Sequence, residues 1–191
     1  MGKPNVVSKK DLINSAKECI VKMGIEKLTL KAVANGANVT QGTVYYHFRS
    51  KEQLLLEIVR DVCKSSWESL DKTNQSKQNL ITESLKSARS RTTANSFYHQ
   101  LFLSLIVKSF TNEKIKTELG ELLDYENQSI ESIFMDRQLK SPIEGVSIKT
   151  WAILLNALID GLAIQALTSN HFSEEDIYNE LELILRELFI G

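Results

Sequence analysis

A chain of 191 residues, 42% hydrophobic and 25% charged, is long enough to bury a substantial core as one large domain or two small ones. Its net charge of −1 excludes a uniformly basic protein but hides an asymmetry: residues 1–62 hold ten Lys/Arg against six Asp/Glu, a net of +4, and the remainder is −5. Two prolines and eight glycines leave room for long helices, and Cys19 and Cys63, each in a helical pattern rather than a spaced ligand cluster, read as free thiols of a cytoplasmic protein.

In chain order, Met1 to Val7 has no apolar run of signal-peptide length, so no export is expected. Ser8 can cap a first helix, in which Leu12, Ala16, Cys19, Ile20 and Met23 recur at helical spacing until Gly24 ends it. Residues 29–48 then read as two short helices joined by a tight turn, with the hydroxyls of Thr29 and Thr40 capping the two first turns. Asn38 suits the corner because it tolerates a left-handed backbone, and the small side chains of Ala34 and Ala37 allow a close helix crossing. On the second helix Val44 and Phe48 share a core face, Gly42 and Tyr46 lie opposite, and Thr43 and Tyr45 flank them. Glycine costs about 1 kcal/mol against alanine inside a helix, so Gly42 implies close approach of something to the backbone. A DNA phosphate or base edge fits, because a recognition helix enters the major groove by its N-terminal residues. Tyr45, Tyr46 and His47 can bond phosphate, while Gln41 and Thr43 can reach base edges; simple packing remains the other reading of Tyr45. Ser50 with Gln53 forms a capping-box pattern for the next helix, whose Leu54, Leu55, Ile58, Val59, Val62 and Cys63 make an apolar stripe running towards Trp67. Such a helix would tie a DNA-binding head to a body.

The run Thr-Gln-Gly-Thr-Val-Tyr-Tyr-His-Phe-Arg-Ser-Lys-Glu-Gln-Leu-Leu, residues 40–55, resembles the DNA-binding domains of the TetR family of bacterial transcriptional regulators. The likeness covers about the first 65 residues. It implies DNA contacts from Thr29 and Lys31 on the first helix, from Thr40, Gln41, Gly42, Thr43, Tyr45, Tyr46 and His47 at the recognition helix, and from Lys51 to phosphate. One departure is Ala37-Asn38-Val39-Thr40 where the family commonly has Ala-Gly-Val-Ser, and both exchanges keep the turn and the cap. The expected organisation is all-α: a three-helix DNA-binding domain at 6–66 carrying the helix-turn-helix at 29–48, then a helical regulatory and dimerisation domain at 72–191.

The polar stretch 71–79 marks the boundary. Beyond it, helices are expected at 80–88, at 94–110 with apolar residues on two adjoining sides, at 115–134 with Glu118, Glu121 and Glu126 on its polar side, at 147–168 and from Ser173 onwards. Residues 140–146, with Pro142 and Gly145, read as a loop. The run from 151 to 168 is the most apolar, but Asn156, Asp160 and Gln165 interrupt it, so no membrane span and no membrane partner are expected. Stripes on the last two helices exceed what a small domain covers. The resemblance implies that they form a dimer's four-helix interface, assigned here to Leu155, Leu158, Leu162, Leu181, Leu185 and Leu188; the plainer reading is that both helices are core.

His47, His99 and His171 lack metal-ligand spacing, and no nucleophile motif or phosphate-cradling loop is present, so no metal, cofactor or catalytic residue is assigned. The expected function is a homodimeric repressor of a palindromic double-stranded DNA operator, released by a small hydrophobic or amphipathic effector. The effector residues are Phe97, Tyr98, Phe102, Asn127 and Trp151, set among the helices at 97–110, 115–134 and 151–166. Glu121 or Glu126, turned inward, would favour a cationic guest. Two other readings stay open. A helical protein-interaction module would bind no specific DNA, and an enzyme with a site in the C-terminal helices, for example His99 with Glu121 or Asp124, would show turnover.

Overall fold

The computed structural model describes residues 7–71, 76–93 and 96–190. Among them the chain is all-helical: α1 Lys9–Met23, α2 Leu30–Gly36, α3 Gln41–Phe48, α4 Lys51–Asp71, α5 Lys77–Thr92, α6 Phe97–Ser109, α7 Glu113–Asp136, α8 Ile148–Thr168 and α9 Glu174–Phe189. The helix start expected at residue 94, the segment 72–75 of the polar stretch, residues 1–6 and Gly191 lie outside the described residues. Packing divides the chain into two compact units, residues 1–62 with 101–119, and residues 63–100 with 120–191. The division falls inside α4, α6 and α7.

In the first unit the helix ends follow local chemistry. Ser8 and Asp11 form a reciprocal capping box on α1, with Ser8 N–H donating to Asp11 Oδ2 at 2.9 Å and Asp11 N–H to Ser8 Oγ at 3.2 Å. Gly24 at φ 83° ends the helix. Met23, expected in the apolar stripe, is exposed at the last turn, whereas Leu12, Ile13, Ala16 and Ile20 are buried. Thr29 accepts from Ala32 N–H at 3.0 Å and Thr40 from Thr43 N–H at 3.2 Å, so both hydroxyls cap as expected. Between them Asn38 takes φ 53°, which lets Val39 N–H return to Ala34 O at 2.9 Å and closes the turn. At Ser50 only half of the expected capping box forms: Gln53 N–H bonds Ser50 Oγ at 3.1 Å, but Ser50 N–H is already held by Phe48 O at 2.6 Å. The Gln53 side chain turns instead to Glu118 Oε2, 3.0 Å away.

α1 packs on α2, and α2 on α3. The closest approach is at Gly36, where an added Cβ would lie 2.6 Å from Ser15 Oγ, a buried hydroxyl that donates to Val33 O at 3.1 Å. Charges tie α1 to α4: Lys9 pairs with Glu57 at 2.8 Å, and Asp61 takes Lys17 at 2.6 Å together with Lys10. Partial burial pushes the Asp61 carboxyl up, but the two lysines outweigh burial and hold it below the ordinary carboxylate range.

In the second unit α5 packs on α8 and α9. Ile81, Leu85, Ala88, Tyr178 and Leu181 form one buried cluster, and Leu80, Phe134 and Leu139 another. Polar clamps close α5 onto α9 at both ends, Thr82 to Glu182 at 2.7 Å and Thr92 to the Tyr178 hydroxyl at 2.9 Å. Ser147 and Ser173 cap α8 and α9.

Two consequences can be measured. Gly36→Ala should cost about 1 to 2 kcal/mol in urea unfolding by overpacking, and in a Ser15→Ala background, where the obstructing hydroxyl is gone, the same change should cost nothing or stabilise. Asp61→Asn should destabilise at neutral pH. Because the folded carboxyl titrates below its unfolded value of about 3.9, its contribution is present above that value and lost as pH falls through the folded one, so wild type and variant should converge between about pH 4 and 2.

Candidate functional site

α3 presents two chemistries. Val44 and Phe48 are wholly buried and fix the helix, while Tyr45 and Tyr46 are 52% and 69% exposed. Gln41, Gly42 and Thr40 are exposed on the same unit, as are Thr29 and Lys31 at the start of α2; Thr43 and His47 are half-buried. A Cβ added at Gly42 would meet only Thr40 Oγ1, at 3.6 Å, an ordinary contact. Nothing within the protein therefore demands glycine there. Thr43 Oγ1 lies 3.0 Å from Thr40 Oγ1, so its hydroxyl is already oriented by the cap.

Two residues depart from expectation. Lys51, assigned to phosphate, is half-buried and its ammonium donates to Ile25 O and Glu26 O at 3.1 and 3.4 Å, stitching the start of α4 to the segment after α1. Arg49 was missed. It ends α3 at φ 61°, and its guanidinium lies 5.7 and 5.6 Å from the ring centres of Tyr45 and Tyr46, so a cation sits directly on the exposed aromatic pair. The available signal was its place one residue past the helix, next to the aromatics. Lys9, Lys10, Lys17 and Arg60 pair with acids of their own unit, whereas Lys31 and Arg49 form no ion pair among the described residues.

The second unit holds a cavity of about 120 Å³ with a largely apolar wall from the end of α4, α5, α7, α8 and α9, including Leu85, Ile133, Phe134, Leu155, Asn156 and Leu181. Phe97, Tyr98, Phe102, Asn127 and Trp151, expected to line it, do not. Four of the five are bonded or buried elsewhere. Asn127 accepts from Asn156 at 3.0 Å, Trp151 donates to Ser141 at 3.1 Å and packs edge-on to Phe189, and Phe102 is buried in the first unit. Tyr98 donates to Glu126 Oε1 at 3.0 Å.

Glu126, expected on the polar side of α7, is buried. Cys63 Sγ also donates to it at 3.3 Å, and Arg91 Nη1 lies 3.7 Å away. Burial raises the Glu126 carboxyl above its ordinary range despite Arg91 beside it. Burial and then the Glu126 charge push the Cys63 thiol and the Tyr98 hydroxyl up as well, keeping both protonated. His99 joins the cluster, with Nδ1 2.8 Å from Arg91 O and Nε2 3.3 Å from Asp160 Oδ1.

Outward, α8 and α9 expose Ile153, Leu154, Leu158 and Ile164, and Leu183, Ile184 and Leu188. Of the six assigned interface leucines, Leu158 and Leu188 are on this face. Leu181 is 8% exposed within its own core, Leu162 and Leu185 pack half-buried against that core, and Leu155 packs half-buried against the cluster of Leu80, Phe134 and Leu139. The small residues Ala152 and Ala163 face inward on α8, which turns the bulky side chains out. Among the described residues α8 has the length and hydropathy of a membrane span. Its polar Asn156 and Asp160 are bonded to α7 and α6.

Residues 12–58 match the sequence profile described as "Bacterial regulatory proteins, tetR family". A "Probable acrEF/envCD operon repressor" of Escherichia coli (strain K12) is 39% identical over 51 residues, 27% of this chain and 23% of that protein. The chain thus spans about a quarter of the length of the first curated relatives it matches. Likeness to solved structures runs through the fold. A crystal structure described as a TetR-family transcriptional regulator from Rhodococcus sp. covers 93% of this chain and 96% of its own at TM-score 0.72 and 18% identity, and a transcriptional regulator from Saccharomonospora viridis in complex with choline covers 95% and 97% at 0.70 and 21%. Residues 12–58 thus carry the DNA-binding domain described for bacterial regulatory proteins of the tetR family, in a chain whose fold is shared along nearly its whole length with structures so described.

Proposed function

We propose that the protein is a sequence-specific DNA-binding repressor of the cytoplasm that grips a palindromic operator as a homodimer and lets go when an apolar or amphipathic effector fills the second unit. The DNA-binding domain is 6–66 and the regulatory and dimerisation domain 72–191. The observation that carries the reading is Gly42. It is a helical glycine with open space around it, on an exposed face shared with Gln41 and Tyr46. Open space on a helix ordinarily favours alanine, so the space is kept for something outside the protein.

On this reading Gln41 and Thr43 meet base edges, Tyr45, Tyr46 and His47 meet phosphates, and Thr29, Lys31 and Thr40 border the groove. Arg49 joins the phosphate set. Lys51 chiefly anchors the α4 start, with one ammonium proton left for a phosphate. The exposed faces of α8 and α9 support dimerisation, because large apolar side chains left exposed on both helices favour a cover, and a second copy supplies one of matching chemistry. Release requires only that the effector bind the released state better than the DNA-bound one.

Gly42→Ala should leave the melting temperature unchanged or raise it, while weakening binding to a footprinted palindromic site by about tenfold or more through the added methyl at the DNA surface. A variant that kept full operator affinity would remove the main support for the recognition face. Leu154→Glu or Leu183→Glu should give a folded monomer in sedimentation with sharply reduced operator affinity, whereas Leu181→Glu should unfold the second unit, since it places a charge in the core. Dimers persisting in both surface variants would mean that another face associates.

A further inference from the structure

Much of the wall of the cavity in the second unit belongs to the two core clusters described above, and a guest could pass there only by breaking close-packed core. Two parts of the wall have an outer side as well. Leu158 lines the cavity and is 41% exposed, on the α8 face assigned above to a second copy of the chain. Trp67 of α4 and Ile133 of α7 line the cavity and also line a groove between those two helices. Glu68, Gln128, Ser132 and Asp136 of the same groove are exposed, so it is open to solvent. Trp67 and Ile133 themselves are half-buried, and Trp67 lies one turn before the end of α4 at Asp71.

We infer that a guest of this cavity enters and leaves between α4 and α7, past the side chains of Trp67 and Ile133, which act as its gate. This rests on the effector and homodimer readings above. In the homodimer the thin wall at Leu158 is shut, because that side chain is on the face the second copy covers. The groove between α4 and α7 has no residue of α8 or α9 in its lining and stays open. Passage there needs a change of rotamer at two half-buried side chains, helped by the last turn of α4, where helices open most readily. The rest of the wall keeps its packing. Gate and cavity are therefore separable: residues of the groove set how fast a guest exchanges, and the apolar wall inside sets how tightly it is held.

A cavity of about 120 Å³ walled mostly by Ile, Leu and Phe is of a size and chemistry that admit benzene, which serves as the probe. Its affinity for the full chain is measured by calorimetry and its exchange by NMR relaxation. Ser132 is exposed in the groove and does not line the cavity. Ser132→Trp should slow association and dissociation together by about tenfold and keep the affinity within about threefold, because an obstacle on the path acts on both directions and on neither end state. Ile133→Ala thins the gate and should quicken both rates by about tenfold. Should Ile133→Ala fail to fold, Ser132→Trp decides alone, since an exposed position tolerates the exchange. Rates that ignore both changes would overturn the inference while leaving the cavity in place, and rates that quicken instead in Leu154→Glu, which uncovers the α8 face, would move the entrance to Leu158. Absence of benzene binding to the unaltered chain would remove the cavity reading itself.

Discussion

The geometry of the reading head depends on one close crossing. α1 and α2 approach until only a glycine fits at residue 36, and the hydroxyl of Ser15 fills the space by bonding Val33 O. From that fixed helix the chain turns through Asn38, whose positive φ aims α3. Val44 and Phe48, fully buried, lock the helix about its own axis, and the direction of the tyrosines follows. A shift of a few tenths of an ångström at the crossing would reach Tyr46 as a rotation of the whole helix, because packed interiors transmit displacement rather than absorb it.

Charge is divided in the same unit. The acids Glu57, Asp61 and Glu118 pair with Lys9, Lys10, Lys17 and Arg60, and Glu18 with Lys22, leaving Lys27, Lys31, Arg49 and Lys51 without ion pairs among the described residues. A head of net +4 therefore does not spread its field evenly. Its positive potential is concentrated where the helix-turn-helix is exposed, which favours one docking orientation over a general attraction to polyanions.

Features set by neighbours along the chain were legible in the amino-acid sequence: the threonine caps, Gly24, the Asn38 corner, and the core face of α3. Each depends on residues no more than four apart. What escaped were properties assembled across helices. The stripe on α8 is apolar nearly all round, so periodicity alone could not tell that Ala152 and Ala163 face in while Ile153 and Leu154 face out. On α9 the same ambiguity assigned Leu181 to an interface although it packs on Ile81 and Leu85. Aromatic content pointed to α6 for the cavity, yet α6's Tyr98 is committed to Glu126, and beside the expected α7 and α8 the wall comes from α4, α5 and α9. Glu126 read as surface because a glutamate on a helix usually is; only the coincidence of Arg91, Tyr98 and Cys63 in space makes its burial tolerable.

The two cysteines fall one in each compact unit, Cys19 in the first and Cys63 in the second, and both are buried. Cys19 donates to Ala32 O at 3.7 Å, and Cys63 is held as a thiol by burial and by Glu126. A thiol reagent attacks only exposed thiolate, so neither side chain is reactive until its surroundings open. The protein thus carries a reporter of breathing in each half. The modification rate of Cys19 follows opening of the head and that of Cys63 opening of the body, which makes the two local stabilities separately readable in a single sample without adding a probe.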